Sequence, residues 1–385
     1  MLNINYQKHN ESVQRLLENE QKGIYERVKM SIACNPRLII SDPLHNKEKL
    51  TFEGYTMNSQ KMLEIQCRFR EYMADDIICD KQMGFENEEG IFLYPDTQNV
   101  LEAEYFGCDV AYHGIYEPGT KVCLNDDNKY AFLDREFPSI FSGLSGKIFE
   151  HMDYFKEQQK NGFTYKGKPI SDVGSAGLST DGPFTIACCL LGTTELCIAL
   201  YEDEKFAMDL LAYITDATIA RIKAVRAHLG LTELTQNIFL ADDSIAMLSD
   251  YDYQRFVLPF HKKLISDLAS EGTANCIHLC GDATHLFPTL QKHLHIVSFD
   301  TGFPVQHGKL VQMLAPNTAI FGGVHANLLL AGSEKEIMIE TKRILEEVKP
   351  YTKKYIIKEA NNVCPGTPPQ NILAMYEAVK RYGCY

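Results

Sequence analysis

The sequence lacks any continuous apolar run of the roughly 18 residues that a membrane helix needs. A basic surplus is also missing, because 38 Lys and Arg residues face 51 Asp and Glu residues and the net charge is −13. Proteins that bind nucleic acids usually carry excess positive charge that neutralises phosphates. The polar N-terminus has no apolar segment of the kind found in secretory signals. The composition therefore argues against a membrane-spanning protein, a nucleic-acid-binding protein and an exported one.

Three motifs that mark common enzyme classes are absent as well. No GxGxxG follows an early strand pattern, which argues against a dinucleotide-binding domain. The segment from Gly162 to Lys168 is the nearest match to a phosphate-binding P-loop, but Pro169 stands where a Ser or Thr must reach magnesium. No GxSxG nucleophile elbow is present, which argues against an α/β hydrolase.

The 12 cysteines are numerous but scattered over a long chain. Small secreted domains instead carry dense, regularly spaced cysteines that form disulfides. Without an export signal, the pattern predicts a reducing, cytoplasmic location, where most of these side chains are small buried hydrophobes. One or two of them remain available for chemistry.

The first 90 residues have mostly helical periodicity. Apolar residues recur every three to four positions in residues 10–34, and Pro36 ends that pattern. A second helical pattern covers residues 60–72. We predict that residues 1–90 form a mostly helical extension packed beside the main domain.

From residue 91 onward, short apolar runs alternate with helical stretches. Runs rich in β-branched and aromatic residues are typical of strands buried on both faces. They cover residues 91–94, 110–112, 238–240, 276–279, 296–299, 319–321 and 355–357. Helical patterns cover residues 184–191, 204–229, 252–270, 283–293 and 334–348. The alternation predicts an α/β protein with a (β/α)₈ TIM barrel over residues 91–385, and a doubly wound open sheet is the competing fold.

The strongest chemical signal is His278-Leu279-Cys280-Gly281-Asp282, at the end of a predicted strand. Alternate residues of a strand point to the same side, so His278 and Cys280 project together. An imidazole nitrogen and a thiolate sulfur are both common zinc ligands. Cys364 follows another predicted strand and would reach the same mouth of a barrel, which predicts a His/Cys/Cys zinc site with an open fourth position. The alternative is a chance pairing of His and Cys without a metal.

Two further segments could contribute to a site at the same mouth. Asp242 and Asp243 follow the apolar run 238–240, and they are candidate catalytic carboxylates or simply residues of a solvated, helix-capping loop. Gly182 and Phe184 lie where Pro183 opens a helix. A ligand near that helix N-terminus would make them cofactor-binding residues, although capping by itself also explains the pattern.

Two later strand ends have comparable features. Asp300 follows the run 296–299 and is a third candidate catalytic carboxylate, with a solvated turn as the alternative. Gly322 and Gly323 would let a cofactor approach the backbone closely, or they form a tight turn between strand and helix.

Residues 91–382 resemble the uroporphyrinogen decarboxylase superfamily. His325 departs from the family pattern, because an acidic residue is frequent at that position. The segments that carry the resemblance are Gly182 to Ala187, Ala241-Asp242-Asp243, Tyr253 to Lys263 with Pro259, Asp300, Phe321-Gly322-Gly323-Val324 and Thr367 to Ile372.

Within that superfamily, His278-X-Cys280 with Cys364 is similar to the zinc signature of the methylcobamide:thiol (coenzyme M) methyltransferases. This resemblance implies a bound Zn²⁺, a thiol or other small methyl donor or acceptor, and a methylcobamide (corrinoid) cofactor. No cobalamin-binding DxHxxG occurs in the chain, so the corrinoid is expected on a separate partner protein. The expected reaction moves a methyl group between that corrinoid and the small molecule.

The alternative within the superfamily is a decarboxylase that acts on tetrapyrrole acetate groups without a metal. Such an enzyme needs a cationic pocket for several carboxylates. The resemblance implies an arginine-rich N-terminal segment for this purpose, but Arg68 and Arg70 are the nearest match and lie in a helical pattern. The sequence therefore favours the methyltransferase.

Overall fold

The computed structural model describes residues 4–385, and a parallel sheet surrounded by helices forms its centre. The strands are β1 Lys29–Met30, β2 Ile91–Leu93, β3 Val110–His113, β4 Tyr116–Thr120, β5 Thr164–Tyr165, β6 Lys168–Val173, β7 Phe239–Leu240, β8 Asn275–Leu279, β9 Ile296–Thr301, β10 Ala319–His325 and β11 Tyr355–Ala360. The helices are α1 Tyr6–Gln21, α2 Arg37–Ile40, α3 Phe52–Met57, α4 Ser59–Asp76, α5 Leu101–Tyr105, α6 Lys129–Leu133, α7 Gly143–Lys160, α8 Pro183–Leu191, α9 Thr193–Glu202, α10 Glu204–His228, α11 Asp250–Asp252, α12 Leu258–Leu268, α13 Phe287–Leu294, α14 His307–Met313, α15 Ala326–Ala331, α16 Glu334–Val348 and α17 Pro369–Tyr382.

The main sheet has six strands in the order β1-β11-β10-β9-β8-β7, and every neighbouring pair is parallel. A parallel bridge between Thr180 and Leu240 continues the sheet beyond β7. In the register of β8 and β9, His278 lies opposite Asp300. Because the carboxyl ends of parallel strands meet at one edge, the residues that end β7, β8, β9 and β11 converge there.

The predicted α/β class is confirmed, but the sheet is not shown to close into a barrel. Strand β2 pairs with β6, which pairs with β5, and these three form a sheet of their own. The order of the main sheet is consistent with a TIM barrel in which those strands close the gap.

The run at residues 110–112 forms a strand, but its expected place in the parallel sheet is wrong. It becomes β3 of an antiparallel hairpin with β4. Gly114, with a φ of +69°, lies in the turn between the two strands, a conformation that glycine adopts without strain. The other predicted strands match β2, β7, β8, β9, β10 and β11, and the helical pattern at residues 334–348 coincides with α16.

The N-terminal region is helical only in part. Helix α1 ends at Gln21, and Gly23 follows with a φ of +76°, so the expected helix over residues 10–34 is too long. The chain then forms β1, in which Met30 pairs with Ile357 of β11 at the edge of the main sheet. Val28 and Phe52 share one hydrophobic core with the sheet. The domain boundary at residue 90 stays a prediction.

Between residues 4 and 385, no single helix is long and apolar enough to cross a membrane. Helices α8 and α9 reach that length and composition only as a pair, which is bent by 106°.

Candidate metal centre

Three donor side chains meet where β7 and β8 end. Within the described chain, one donor atom each of Asp243, His278 and Cys280 lies within 4.8 Å of the others. His278 is on β8 and Cys280 directly follows it, and their Nε2 and Sγ atoms are 3.0 Å apart. Imidazole nitrogen, thiolate sulfur and carboxylate oxygen are the donor set that zinc takes in proteins. We call these three residues the metal group.

Asp243 also fixes the backbone of the metal group. Its Oδ1 accepts a hydrogen bond of 2.6 Å from the Cys280 backbone N–H. Burial, together with the Asp243 charge, raises the pKa of the Cys280 thiol to about 12. Without a cation the thiol is therefore protonated at neutral pH. A metal ion within the group would favour the thiolate instead.

Asp300 contacts the His278 ring nitrogen that does not face Cys280. Its Oδ2 is 2.9 Å from His278 Nδ1, and its Oδ1 accepts a hydrogen bond of 2.8 Å from Lys358 Nζ on β11. Burial opposes ionisation of Asp300, but the hydrogen bond with His278 and the charge of Lys358 outweigh it and lower the pKa of this carboxyl. A carboxylate on the second ring nitrogen is the usual way in which proteins orient a metal-binding histidine. Asp300 is therefore placed to position His278.

Cys364 lies in the loop after β11 but does not belong to the metal group. The residue of this loop that contacts Cys280 is Asn361, whose Oδ1 is 3.2 Å from the Cys280 Sγ. Burial raises the pKa of the Cys364 thiol; the positive charge of Arg37 lowers this pKa and the negative charge of Glu117 raises it further. The assignment of Cys364 as the third zinc ligand stays a prediction.

Asp242 is fully buried and holds the N-terminus of α8. It accepts hydrogen bonds of 2.7 Å from both the backbone N–H and the hydroxyl of Thr185, and its Oδ2 is 2.9 Å from His261 Nε2. Gly182 has a φ of +80°, and a Cβ there would lie 2.5 Å from the Asp242 side chain. This geometry makes Asp242 a positioning residue, and its predicted catalytic role stays untested.

The remaining predicted cofactor-binding residues pack against the protein itself. Phe184 is fully buried in the core. A Cβ at Gly322 would collide with Thr301 Oγ1, and one at Gly323 would lie 2.5 Å from the Lys358 carbonyl oxygen. Close packing explains both glycines, and their cofactor-binding role stays a prediction.

Sequence reasoning missed a buried ion pair beside the site. Arg221 of α10 pairs with Glu102 of α5, and both side chains are almost fully buried. Glu102 also accepts a hydrogen bond from the Asp181 backbone N–H, at 2.5 Å. Burial, with the charges of Glu102 and Asp243, raises the pKa of Asp181 to about 8. Arg221 and Glu102 are 119 residues apart, so no local sequence pattern predicts that they pair.

Lys358 was also missed, although a signal exists. Lys358 and Glu359 are both buried near the end of β11, directly after an apolar run. Charged residues are almost never fully buried unless they are paired. Two ionisable residues within a strand of this kind therefore mark a polar network at the strand end.

An aromatic pair of an exposed Phe303 and a half-buried His325 lies next to the metal group. The Phe303 backbone N–H donates to the Cys280 carbonyl oxygen at 3.1 Å, and the Phe303 ring stacks on His325 with centroids 4.0 Å apart. The Phe303 side chain is 49% exposed. This places an apolar surface at the edge of the site.

The sequence model of the family described as uroporphyrinogen decarboxylase (URO-D) matches residues 173–382, which is more than half of the chain. The chain belongs to this family. The matched region contains the metal group, Asp300, Lys358 and Cys364.

Relatives of both activities are similar to this member of the URO-D family. A uroporphyrinogen decarboxylase of Geobacter metallireducens is 30% identical over 52% of the chain, and the match covers 58% of that relative. A methylated-thiol–coenzyme M methyltransferase of Methanosarcina mazei is 27% identical over 51% of each chain. The methylcobamide:CoM methyltransferase MtbA of the same organism is 22% identical over 73% of this chain and 77% of its own length.

A solved structure supports the fold of the whole chain. A methyltransferase from Methanosarcina mazei superposes with a TM-score of 0.61 at 15% identity, over 96% of this chain and 98% of its own. At that identity the likeness shows the fold alone.

Proposed function

We propose that this protein is a zinc-dependent corrinoid methyltransferase that moves a methyl group between a corrinoid protein and a thiol or another small methyl donor or acceptor. The observation that carries the proposal is the convergence of His278, Cys280 and Asp243 on one point at the carboxyl edge of the sheet. The methyltransferases among its relatives support the same reading. The proposal includes a closed TIM barrel and a cytoplasmic location.

Each residue of the site would have a separate role in binding zinc. His278 and Cys280 would hold the zinc ion, with Asp243 or Cys364 as third ligand. Bound zinc would keep a coordinated thiol in its thiolate form near neutral pH. Asp300 would keep the Nε2 atom of His278 directed at Cys280, since its own contact is with Nδ1.

Decarboxylation of tetrapyrrole acetate groups is the second candidate, because a uroporphyrinogen decarboxylase is 30% identical to the chain over 203 residues. That reaction needs cations free to bind several carboxylates. Among the described residues, Lys358 is already paired with Asp300, and Arg221 with Glu102. These two cations are therefore not free to bind tetrapyrrole carboxylates, which counts against this candidate.

The test is a comparison of metal content and methyl transfer. Protein purified without chelator should contain about one zinc ion per chain, and it should demethylate methylcobalamin in the presence of a panel of thiols, followed by the cobalt spectrum. Cys280→Ser should lose both zinc and activity. Cys276→Ser is the matched control, because Cys276 lies on the same strand outside the metal group; it should retain both.

Two results would count against the proposal. A chain without zinc that decarboxylates uroporphyrinogen would support the second candidate. Stoichiometric zinc without transfer to any thiol or other acceptor would indicate a binding or structural role. Zinc content of Asp243→Asn and Cys364→Ser, compared in parallel, identifies the third ligand.

A further inference from the structure

Two thiols outside the metal group are in direct contact. Cys108 donates a hydrogen bond to Cys123, with the two Sγ atoms 3.3 Å apart. Cys108 precedes β3 and Cys123 follows β4, so the pair lies at the base of the β3–β4 hairpin. A disulfide bond is about 2.05 Å long, so a small shift of about 1.3 Å would bring the sulfurs together.

The two thiols differ in exposure and acidity. Cys108 is 3% exposed, whereas Cys123 is half-buried. The hydrogen bond from Cys108, aided by the charge of Arg135, lowers the pKa of Cys123 despite its burial, and the same bond raises the pKa of Cys108. The thiolate is the form that reacts with oxidants, so Cys123 is the thiol that both ionises first and is reachable from solvent.

We propose that Cys108 and Cys123 are a redox-modification site that forms a reversible disulfide when a peroxide oxidises Cys123. The Cys123 thiolate attacks one peroxide oxygen, the O–O bond breaks, and a sulfenic acid and hydroxide form. The Cys108 sulfur then attacks the Cys123 sulfur, the S–O bond breaks and water leaves once the Cys108 proton is transferred. Two thiols and one hydrogen peroxide thereby give one disulfide and two waters.

The disulfide would restrain a hairpin that packs against the segment following β1. Glu117 on β4 forms an ion pair with Arg37, at 2.7 Å. The Gly114 carbonyl oxygen at the tip accepts a hydrogen bond from the Phe52 backbone N–H. Cys364 is affected by the charges of Arg37 and Glu117. Oxidation would therefore stiffen a hairpin that contacts Arg37 and Phe52 and whose Glu117 charge acts on Cys364, the proposed zinc ligand.

The experiment treats the full chain with one equivalent of hydrogen peroxide, blocks the remaining thiols and maps the peptides by mass spectrometry. The expected product is a Cys108–Cys123 linked peptide that lacks the mass of two hydrogen atoms and disappears on treatment with dithiothreitol. Proteolysis near Gly114 should be slower in the oxidised protein than in the reduced one. The proposal does not depend on whether the protein binds zinc.

Variants separate the roles of the two thiols. Cys108→Ser should leave a Cys123 sulfenic acid that dimedone traps, and Cys123→Ser should abolish the link. Cys197→Ser, which changes a half-buried thiol on α9, should leave the link intact. A wild-type protein in which Cys123 passes to the sulfinic acid without a disulfide, or in which Cys108 joins Cys189, would overturn the proposal.

Discussion

Ionisable side chains at this site pair with one another in a largely buried environment. Asp300 contacts His278 with one oxygen and Lys358 with the other, and the Lys358 side chain is 5% exposed. Removing one member of a buried pair leaves the other charge without compensation, which costs more than the loss of a surface ion pair.

We therefore expect Lys358→Met to lower the free energy of unfolding by about 3 kcal/mol. It should also raise the pKa of Asp300, because the lysine charge helps to lower it. Urea unfolding at neutral pH measures the first effect, and carboxyl-carbon NMR titration the second. Lys342→Met is the control, since Lys342 forms an exposed ion pair with Glu346. Equal losses in the two variants would contradict the expectation.

Gly182 combines a left-handed backbone with a close approach to Asp242. Gly182→Ala should destabilise the protein by about 2–4 kcal/mol, because a strained φ and a steric clash add together. Gly230→Ala is a matched control, since its φ is +73° and no atom lies within 4 Å of the added Cβ. We expect only about 1 kcal/mol there. Thermal melts of both variants would refute this account if the two losses were the same.

At the scale of elements, one carboxylate joins β7 to α8 and α12. Asp242 follows β7, caps α8 through Thr185 and binds His261 of α12. His261 Nδ1 lies 3.1 Å from the Tyr253 hydroxyl, which continues the network. Because an anion at a helix N-terminus is stabilised by the free N–H groups, this network fixes the direction of α8.

Asp242→Asn should therefore lower stability by about 2–3 kcal/mol, since a neutral amide is a weaker acceptor and its NH₂ group faces other donors. The zinc content should stay unchanged, because Asp242 is not in the metal group. Asp282→Asn, in an exposed turn, serves as control. Loss of zinc in Asp242→Asn with normal stability would instead place Asp242 among the ligands.

At the scale of the whole molecule, buried carboxyl groups make stability depend on pH. Burial raises the pKa of Glu359 to about 8, although Lys358 and the Ala33 backbone N–H act in the opposite direction. The unfolded chain releases this proton near pH 4.5. The folded state thus binds the extra proton between these values, and the stability it contributes below pH 4.5 is lost as the pH rises through about 8. Asp181, with a pKa of about 8, acts in the same sense.

For the metal-free protein we expect the free energy of unfolding to fall between pH 5 and pH 8. Glu359→Gln removes one titrating group, so the slope of that free energy against pH should become shallower by the contribution of at most one bound proton. Urea unfolding at several pH values gives the slopes directly. Glu346→Gln changes an exposed carboxyl group and should leave the slope as it is. An unaltered slope in Glu359→Gln would show that Glu359 ionises normally in the folded protein.

The sequence by itself determined the features that depend on near neighbours. The runs that became β7 to β11 were evident from their apolar residues, and α16 from its periodicity. The pairing of His278 with Cys280 followed from the alternation of side chains along one strand. The motif also sufficed to predict the family.

Only the tertiary structure decided which distant segments meet. The strand order placed β1 beside β11, and it brought Asp243 and Asn361 to Cys280 while Cys364 stayed outside the metal group. It also turned Asp242 inward to hold a helix. The physical reason is that a strand dictates the direction of its own side chains, whereas the path of a loop depends on packing and hydrogen bonds with residues remote in sequence.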